Sequence, residues 1–235
     1  PMATLLAAAP PLRGSQPAVA AAAAAPVPDA SRLALGRIVY GVTVGADTTG
    51  VDTMTLAAEG GRLVFTETSR TPVFAMDVRA EMSPPSLAPL ASDVTQEMGG
   101  NRIQVQLRYA PGRVTGTMKM PASFGGETAL DTPFEGAVYE SAAVPQVIAA
   151  LPLREGAVWT LPVYTTYVRA VAPYRVEVGA VETVQTGVGP VRAKVKVTAG
   201  AFAQVLWISE AEPRWLVATE IPAFGMRSVA RSRLP

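Results

Sequence analysis

The 235 residues predict a mainly β fold: an antiparallel curved sheet or open β-barrel with one short helix and an extended N-terminal arm. Three observations carry this. Beyond residue 30, short segments alternate apolar and polar side chains with period two, the pattern of a sheet with one dry and one wet face. Glycine- or proline-bearing turns separate these segments. No strand–helix–strand rhythm appears that would build a parallel sheet.

Residues 1–30 form the arm. They read PMATLLAAAPPLRGSQPAVAAAAAAPVPDA and carry no charge except Arg13 and Asp29. Such a segment cannot bury enough of its own surface to offset its ordering entropy. It makes sense as a docking arm held by another protein chain, through Leu5, Leu6, Leu12, Arg13, Val19 and Val27. The stretch 18–25 (AVAAAAAA) also resembles the apolar region of a signal peptide, so export is expected.

Residues 31–235 form the β domain, with 31–137 and 138–235 as two possible sheet halves. Segment 36–45 puts Ile38, Tyr40, Val42 and Val44 on one face. Strands follow at 51–57, 62–69 and 72–82; in the last, Phe74, Met76, Val78, Ala80 and Met82 alternate with Asp77, Arg79 and Glu81. The prolines of 83–89 predict a loop. The clearest hairpin is 102–120. Ile103, Val105, Leu107 and Tyr109 face one way, and Val114, Met118 and Met120 continue that face after Ala110-Pro111-Gly112-Arg113, a type II turn signature. Residues 121–137 read as loop.

Segment 143–151 (AVPQVIAAL) is the helix, with Pro145 in its first turn. Strands are expected at 157–161, 163–171, 174–185, 190–198, 203–209 and 214–221, with a β-bulge where the apolar phase slips at Gly179-Ala180. Val205-Leu206-Trp207-Ile208 is continuously apolar and should be covered on both sides. The barrel interior should be filled by side chains including Met76, Met82, Met118 and Trp207. An outer-membrane barrel would alternate similarly, but the aromatic content of 6% and the lack of girdle positions argue against it.

Composition removes much chemistry. Cysteine and histidine are both absent, which excludes disulfides, thiol nucleophiles, the usual zinc sites and every triad built on histidine. Net charge is +1 with interleaved signs, so nucleic acid is not expected as a partner. No apolar run is long enough for a membrane-spanning helix. Charged residues make up only 17%, which implies a large core or an apolar surface covered by something else.

Candidate chemical groups have plainer readings. Glu210 and Glu212 flank a turn, and two carboxylates are too few for calcium. Asp47 and Asp52 read as a solvated acidic tip. Gly60-Gly61 and Gly99-Gly100 lack the helix and lysine of a phosphate loop. Arg192, Lys194 and Lys196 form a basic solvent face. Trp159, Trp207, Trp215 and Tyr174 read mainly as core; Tyr164 and Tyr167 are candidate interface anchors. Arg227, Arg231 and Arg233 read as a charged tail able to meet a partner or lipid headgroups. No catalytic residue, metal ligand or cofactor is assigned, and a glycosidase built on paired carboxylates has no motif behind it.

From residue 134 onward the chain resembles an uncharacterised family of exported bacterial β-rich proteins. The likeness lies in Ala149-Ala150-Leu151-Pro152-Leu153-Arg154-Glu155-Gly156, then in Val176–Val184 and Gly187–Ala193, and last in Trp207-Ile208-Ser209-Glu210, Pro213-Arg214 and Leu216-Val217. It covers about 90 residues near the C-terminus. The resemblance implies an open barrel similar to lipoprotein-carrier folds and a periplasmic location, and it brings no catalytic residues. Together these readings predict a non-enzymatic structural subunit of a larger, membrane-associated bacterial complex, for example a photosynthetic or respiratory assembly. The alternative is a periplasmic carrier for a lipid or other apolar ligand.

Overall fold

A computed structural model describes residues 23–45, 47–72, 74–198 and 204–234. Leu5, Leu6, Leu12, Arg13 and Val19 of the expected arm lie outside the described residues. The strands are β1 (Ala23–Ala24), β2 (Gly36–Val44), β3 (Asp47–Glu59), β4 (Arg62–Arg70), β5 (Phe74–Ser83), β6 (Ala88–Met98), β7 (Asn101–Ala110), β8 (Arg113–Lys119) and β9 (Glu127–Pro133). After β10 (Tyr139–Glu140) and the helix α1 (Val144–Ala149) come β11 (Val158–Thr165), β12 (Ala170–Glu177), β13 (Glu182–Thr186), β14 (Gly189–Thr198), β15 (Gln204–Ser209), β16 (Leu216–Ile221) and β17 (Met226–Leu234).

All of them join one sheet. β1 and β10 lie parallel along β11; the order then runs from β11 to β17 and on through β2 to β9, antiparallel throughout. The last strand, β17, pairs with the first long one, β2, so the segments before and after residue 137 share a continuous sheet. Its edges do not pair with each other, and the curled sheet stays open.

The alternation argument holds where inward positions are large and apolar. Val105, Leu107, Val114 and Met118 of the 102–120 hairpin are buried, and Gly112 has φ of 74°, as a type II turn requires at that position. Three strands depart from expectation. β9 and β17 fall where a loop and a charged tail were read, and β6 begins at the end of the expected 83–89 loop and runs through residues to which no element was assigned. Their register places Ser92, Gln96, Thr128, Thr132, Ser228 and Ala230 on the inward face, opposite larger neighbours, so they lack an apolar period. The expected strand 163–171 is in fact a hairpin, with β11 and β12 joined through 166–169.

The phase slip near Gly179 is larger than a bulge. Residues 178–181 separate β12 from β13, and both strands pair with β14, on either side of a bulge between Lys194 and Lys196. That bend lets the β13–β14 hairpin fold over the convex face. Val184 and Ala193 pack there with Val217, Ala218 and the half-buried Trp207. The other face of β15 presents Leu206 and Ile208 to the main core. Double coverage of 205–208 is therefore observed, but Trp207 points away from the barrel interior. Gly187 sits at the hairpin tip because the backbone of Arg231 lies where a side chain would go, 2.4 Å from an ideal Cβ.

The concave face is filled by the chain itself. α1 lies on it, and Val144, Val147 and Ile148 share one buried cluster with Leu56, Phe65, Val78 and Leu206. A second cluster joins Val105, Leu107, Val114 and Leu130 to Val138 and Tyr164 from the far edge of the sheet. Two charged side chains pin the helical segment. Arg214 Nη1 donates to the carbonyls of Leu151 and Ala149, satisfying the orphan acceptors of the helix C-terminus. Glu140 is buried and accepts from Tyr109 Oη, Ser141 Oγ and the Ala142 amide, anchoring the 3₁₀ turn before α1.

Candidate interaction surface

The strand order assigns every hairpin turn to one of two ends. The turns at residues 45, 71–72, 99–100, 120–126, 166–169 and 222–225 lie at one end. Within these six segments the only charged residue is Arg169. At the opposite end the 150–157 connection holds Arg154 and Glu155 and the 210–215 turn holds Glu210, Glu212 and Arg214, while turns 60–61, 111–112 and 187–188 hold no charge; charged residues adjoin turns at both ends, Glu59, Arg62 and Arg113 here and Asp47, Arg70, Lys119 and Glu127 at the other.

Exposed apolar side chains occur at both ends: Val27, Leu35, Val188 and Leu234 at the charged end, and a larger group that includes two phenylalanines at the neutral end. At the neutral end Met98 and Phe124 are each 61% exposed, Phe224 58% and Val168 63%, with Val44 also exposed. Two contacts tie this rim together. Gly45 N–H donates to the Gly225 carbonyl at 3.1 Å, joining the β2–β3 and β16–β17 turns. Tyr167 Oη donates to Gln96 Oε1 at 2.7 Å, bringing the β11–β12 tip to β6, two residues from Met98. Charges begin one layer back and pair across neighbouring strands: Arg70 with Asp77 at 2.7 Å, Arg102 with Glu97 at 3.1 Å and Lys119 with Glu127 at 3.2 Å.

Behind this rim, on the concave face, lies a carboxyl pair. Register puts Asp52 inward between Tyr40 and Ser69, with Glu67 one inward position further along β4. Asp52 is buried, not the solvated tip expected from the sequence. Burial pushes Asp52 up to about 7, while burial and the Asp52 charge raise Glu67. One Asp52 oxygen, Oδ1, has no partner.

A cavity of about 40 Å³ lies between sheet and helix, lined by Tyr40, Met54, Phe65, Gln146, Arg214 and Trp215. A wider depression of about 390 Å³ lies at the charged end, open to solvent, between Ser31, Leu33 and Leu35 on one side and Arg62, Leu63 and Pro84 on the other.

The expected contact residues are scattered. Val27 is exposed near the start of the sheet, and Tyr167 is 60% exposed at the neutral rim. Tyr164 is fully buried, edge-on to Tyr109 at 6.2 Å, so it anchors the core and not an interface. Arg227, Arg231 and Arg233 belong to β17 and not to a tail. Arg227 lies over Trp207 at 5.2 Å, Arg233 lies over Trp215 at 5.3 Å, and the Arg231 side chain covers Gly41. Glu212 pairs with Arg32 and Arg214, and Glu210 with Arg192. Sequence reasoning passed over Met98, Phe124, Val168 and Phe224. The available signal was the lack of charge in turns as different as Met98-Gly99-Gly100 and Pro222-Ala223-Phe224-Gly225.

No curated protein matches the chain. Among solved structures it is similar to a β-barrel-like protein of domain of unknown function DUF1849 from Brucella abortus. Identity is 11%, 86% of this chain and 98% of that one are covered, and the TM-score is 0.53, a likeness of fold alone. The match to a family of unknown function is therefore not confined to the C-terminal part suggested by the sequence motifs; it begins in β2 and ends in the turn before β17. Over residues 38–224 the chain matches the family described as protein of unknown function DUF3108, and it belongs to that family.

Proposed function

We propose that this protein is a non-enzymatic structural subunit of a larger, membrane-associated bacterial assembly, acting outside the cytoplasm. The observation that supports this reading is the filled interior. α1 and the side chains around it occupy the concave face, and the cavity of about 40 Å³ left there is far below the roughly 300 Å³ of a small-molecule site. A domain with its core occupied and exposed apolar turns has surface to offer a partner. The Ala/Pro arm supplies the second attachment, since its ordering must be offset by contacts with another chain. A photosynthetic or respiratory complex is the kind of host in view. No helix among the described residues is long and apolar enough to cross a membrane.

A carrier of an apolar ligand is the competing reading, favoured by the open depression of about 390 Å³ at the charged end. The two separate on purification of the full chain from native membranes. The subunit reading expects stoichiometric protein partners and no retained lipid in an organic extract. One tightly held lipid per chain, with no partner, would replace it by the carrier.

A further inference from the structure

We infer that the neutral end of the sheet, presented by Met98, Phe124, Val168 and Phe224, docks on the zwitterionic interface of a lipid bilayer. The inference deepens the subunit reading and rests on it for the filled interior, which leaves apolar surface and not an internal cavity as the means of attachment.

The exposed side chains stand on separate turn tips, from the β2–β3, β6–β7, β8–β9, β11–β12 and β16–β17 connections. A protein partner would need a rigid relief matching each tip. Lipid deforms around every protrusion independently, so dispersed tips fit it better. The residue types also suit the boundary layer, where aromatic and aliphatic side chains enter and polar backbone stays wet. Turn backbones carry amides and carbonyls that hydrocarbon cannot satisfy, so entry is confined to side chains at headgroup depth.

Charge distinguishes the kind of membrane. Of the cations near the rim, Arg70, Arg102 and Lys119 are each paired with a carboxylate on an adjacent strand or across their own turn, and Arg227 lies over Trp207 with Glu220 opposite it in the register. They present no net field for anionic lipid, in contrast to a polybasic patch. Arg169 is the remaining cation of the turns, and a long side chain at a rim can keep its guanidinium among headgroups. Binding is therefore expected to follow apolar area and to be insensitive to salt.

The test is flotation of the purified full chain with protein-free vesicles of pure phosphatidylcholine, and with vesicles containing added phosphatidylglycerol. Native protein should float with both alike, at low and high salt. The double variant Met98→Ser with Phe124→Ser should partition about tenfold less, from its lost apolar contact. The control Val188→Ser with Leu234→Ser, exposed positions at the opposite end, should behave as wild type, which also accounts for any binding by the arm. Circular dichroism and melting show that each variant is folded. Absence of binding to either vesicle, binding that needs anionic lipid and fails in salt, or equal binding by the M98S/F124S variant would overturn the inference. So would association with native membranes that protease shaving abolishes while protein-free vesicles fail, an outcome that leaves the subunit reading standing with a protein as the occupant. Retention of a single buried lipid would instead overturn the subunit reading.

Discussion

The two ends of the sheet differ in what their residues do for the fold. At the charged end, side chains reach back into the structure. Arg214 caps α1, bonds Glu212 at 3.0 Å and is almost fully buried; Arg32 ties the 30–32 turn to Glu212 at 2.8 Å. At the neutral end the turn tips point outward, and the described hydrogen bonds there run mostly within or between turns. Charged side chains pin the chain at one end, and at the other Arg169 is the charged residue within the turns. Exposed apolar residues are ordinary on any protein and occur at both ends here; the neutral end differs in having its exposed phenylalanines on turns that hold no carboxylate.

Substitutions ordered from the interior outward sharpen this contrast. Leu107→Asp should abolish folding, because an unpaired charge in the second core cluster costs several kcal/mol. Gln106→Asp, one residue along on the wet face, should change the melting temperature little. Equal tolerance at 106 and 107 would mean that the register of β7 is misassigned.

Arg214→Met should cost about 3 kcal/mol, since it strands the last carbonyls of α1 in a buried site. Urea unfolding checks this, and a loss below about 0.5 kcal/mol would remove the charged end from its pinning role.

The carboxyl pair gives a pH signature. Asp52 has its folded pKa raised above the ordinary 3.8, so the native state holds its proton more tightly than the unfolded chain does. Stability is then greatest at low pH and declines as pH rises through about 7, where the buried group is made to ionise. Thermal melts should show a higher midpoint near pH 5 than near pH 8, by the equivalent of about 2 kcal/mol. Asp52→Asn should flatten that slope and raise stability at the alkaline end. A wild-type slope of opposite sign would place the pair in water.

The smallest expected effect is at the rim itself. Met98→Ser and Phe124→Ser should each shift stability by no more than about 0.5 kcal/mol, because both side chains are already mostly in solvent. A large loss at either would show that the neutral end is needed for the fold.

Much of this was legible in the amino-acid sequence. The hairpin around Pro111-Gly112 and the helix at Val144–Ala149 were readable because large apolar residues mark their inward positions and turn chemistry marks their ends. β6, β9 and β17 were not, because the sheet curls around α1 and leaves room for only Ser, Thr, Ala or Gln at many of their inward positions. Period two then vanishes from the hydropathy while remaining in the structure. Asp52 illustrates the same limit. In the alternation of Val51-Asp52-Thr53-Met54, polarity places Asp52 outward, whereas the pairing with Tyr40 and Ser69 puts it inside and leaves Val51 exposed. The neutral rim was beyond reach for a related reason. Its uncharged turns are visible one by one, but they share an end only through a strand order that includes the three strands lacking an apolar period.

The most direct test of the contrast between the ends is amide hydrogen exchange on the full chain, free and bound to native membranes. The account predicts new protection at turns 99–100, 120–126 and 222–225 on binding, with turns 60–61, 111–112 and 210–215 unchanged. Protection at the second set, or at neither, would contradict it.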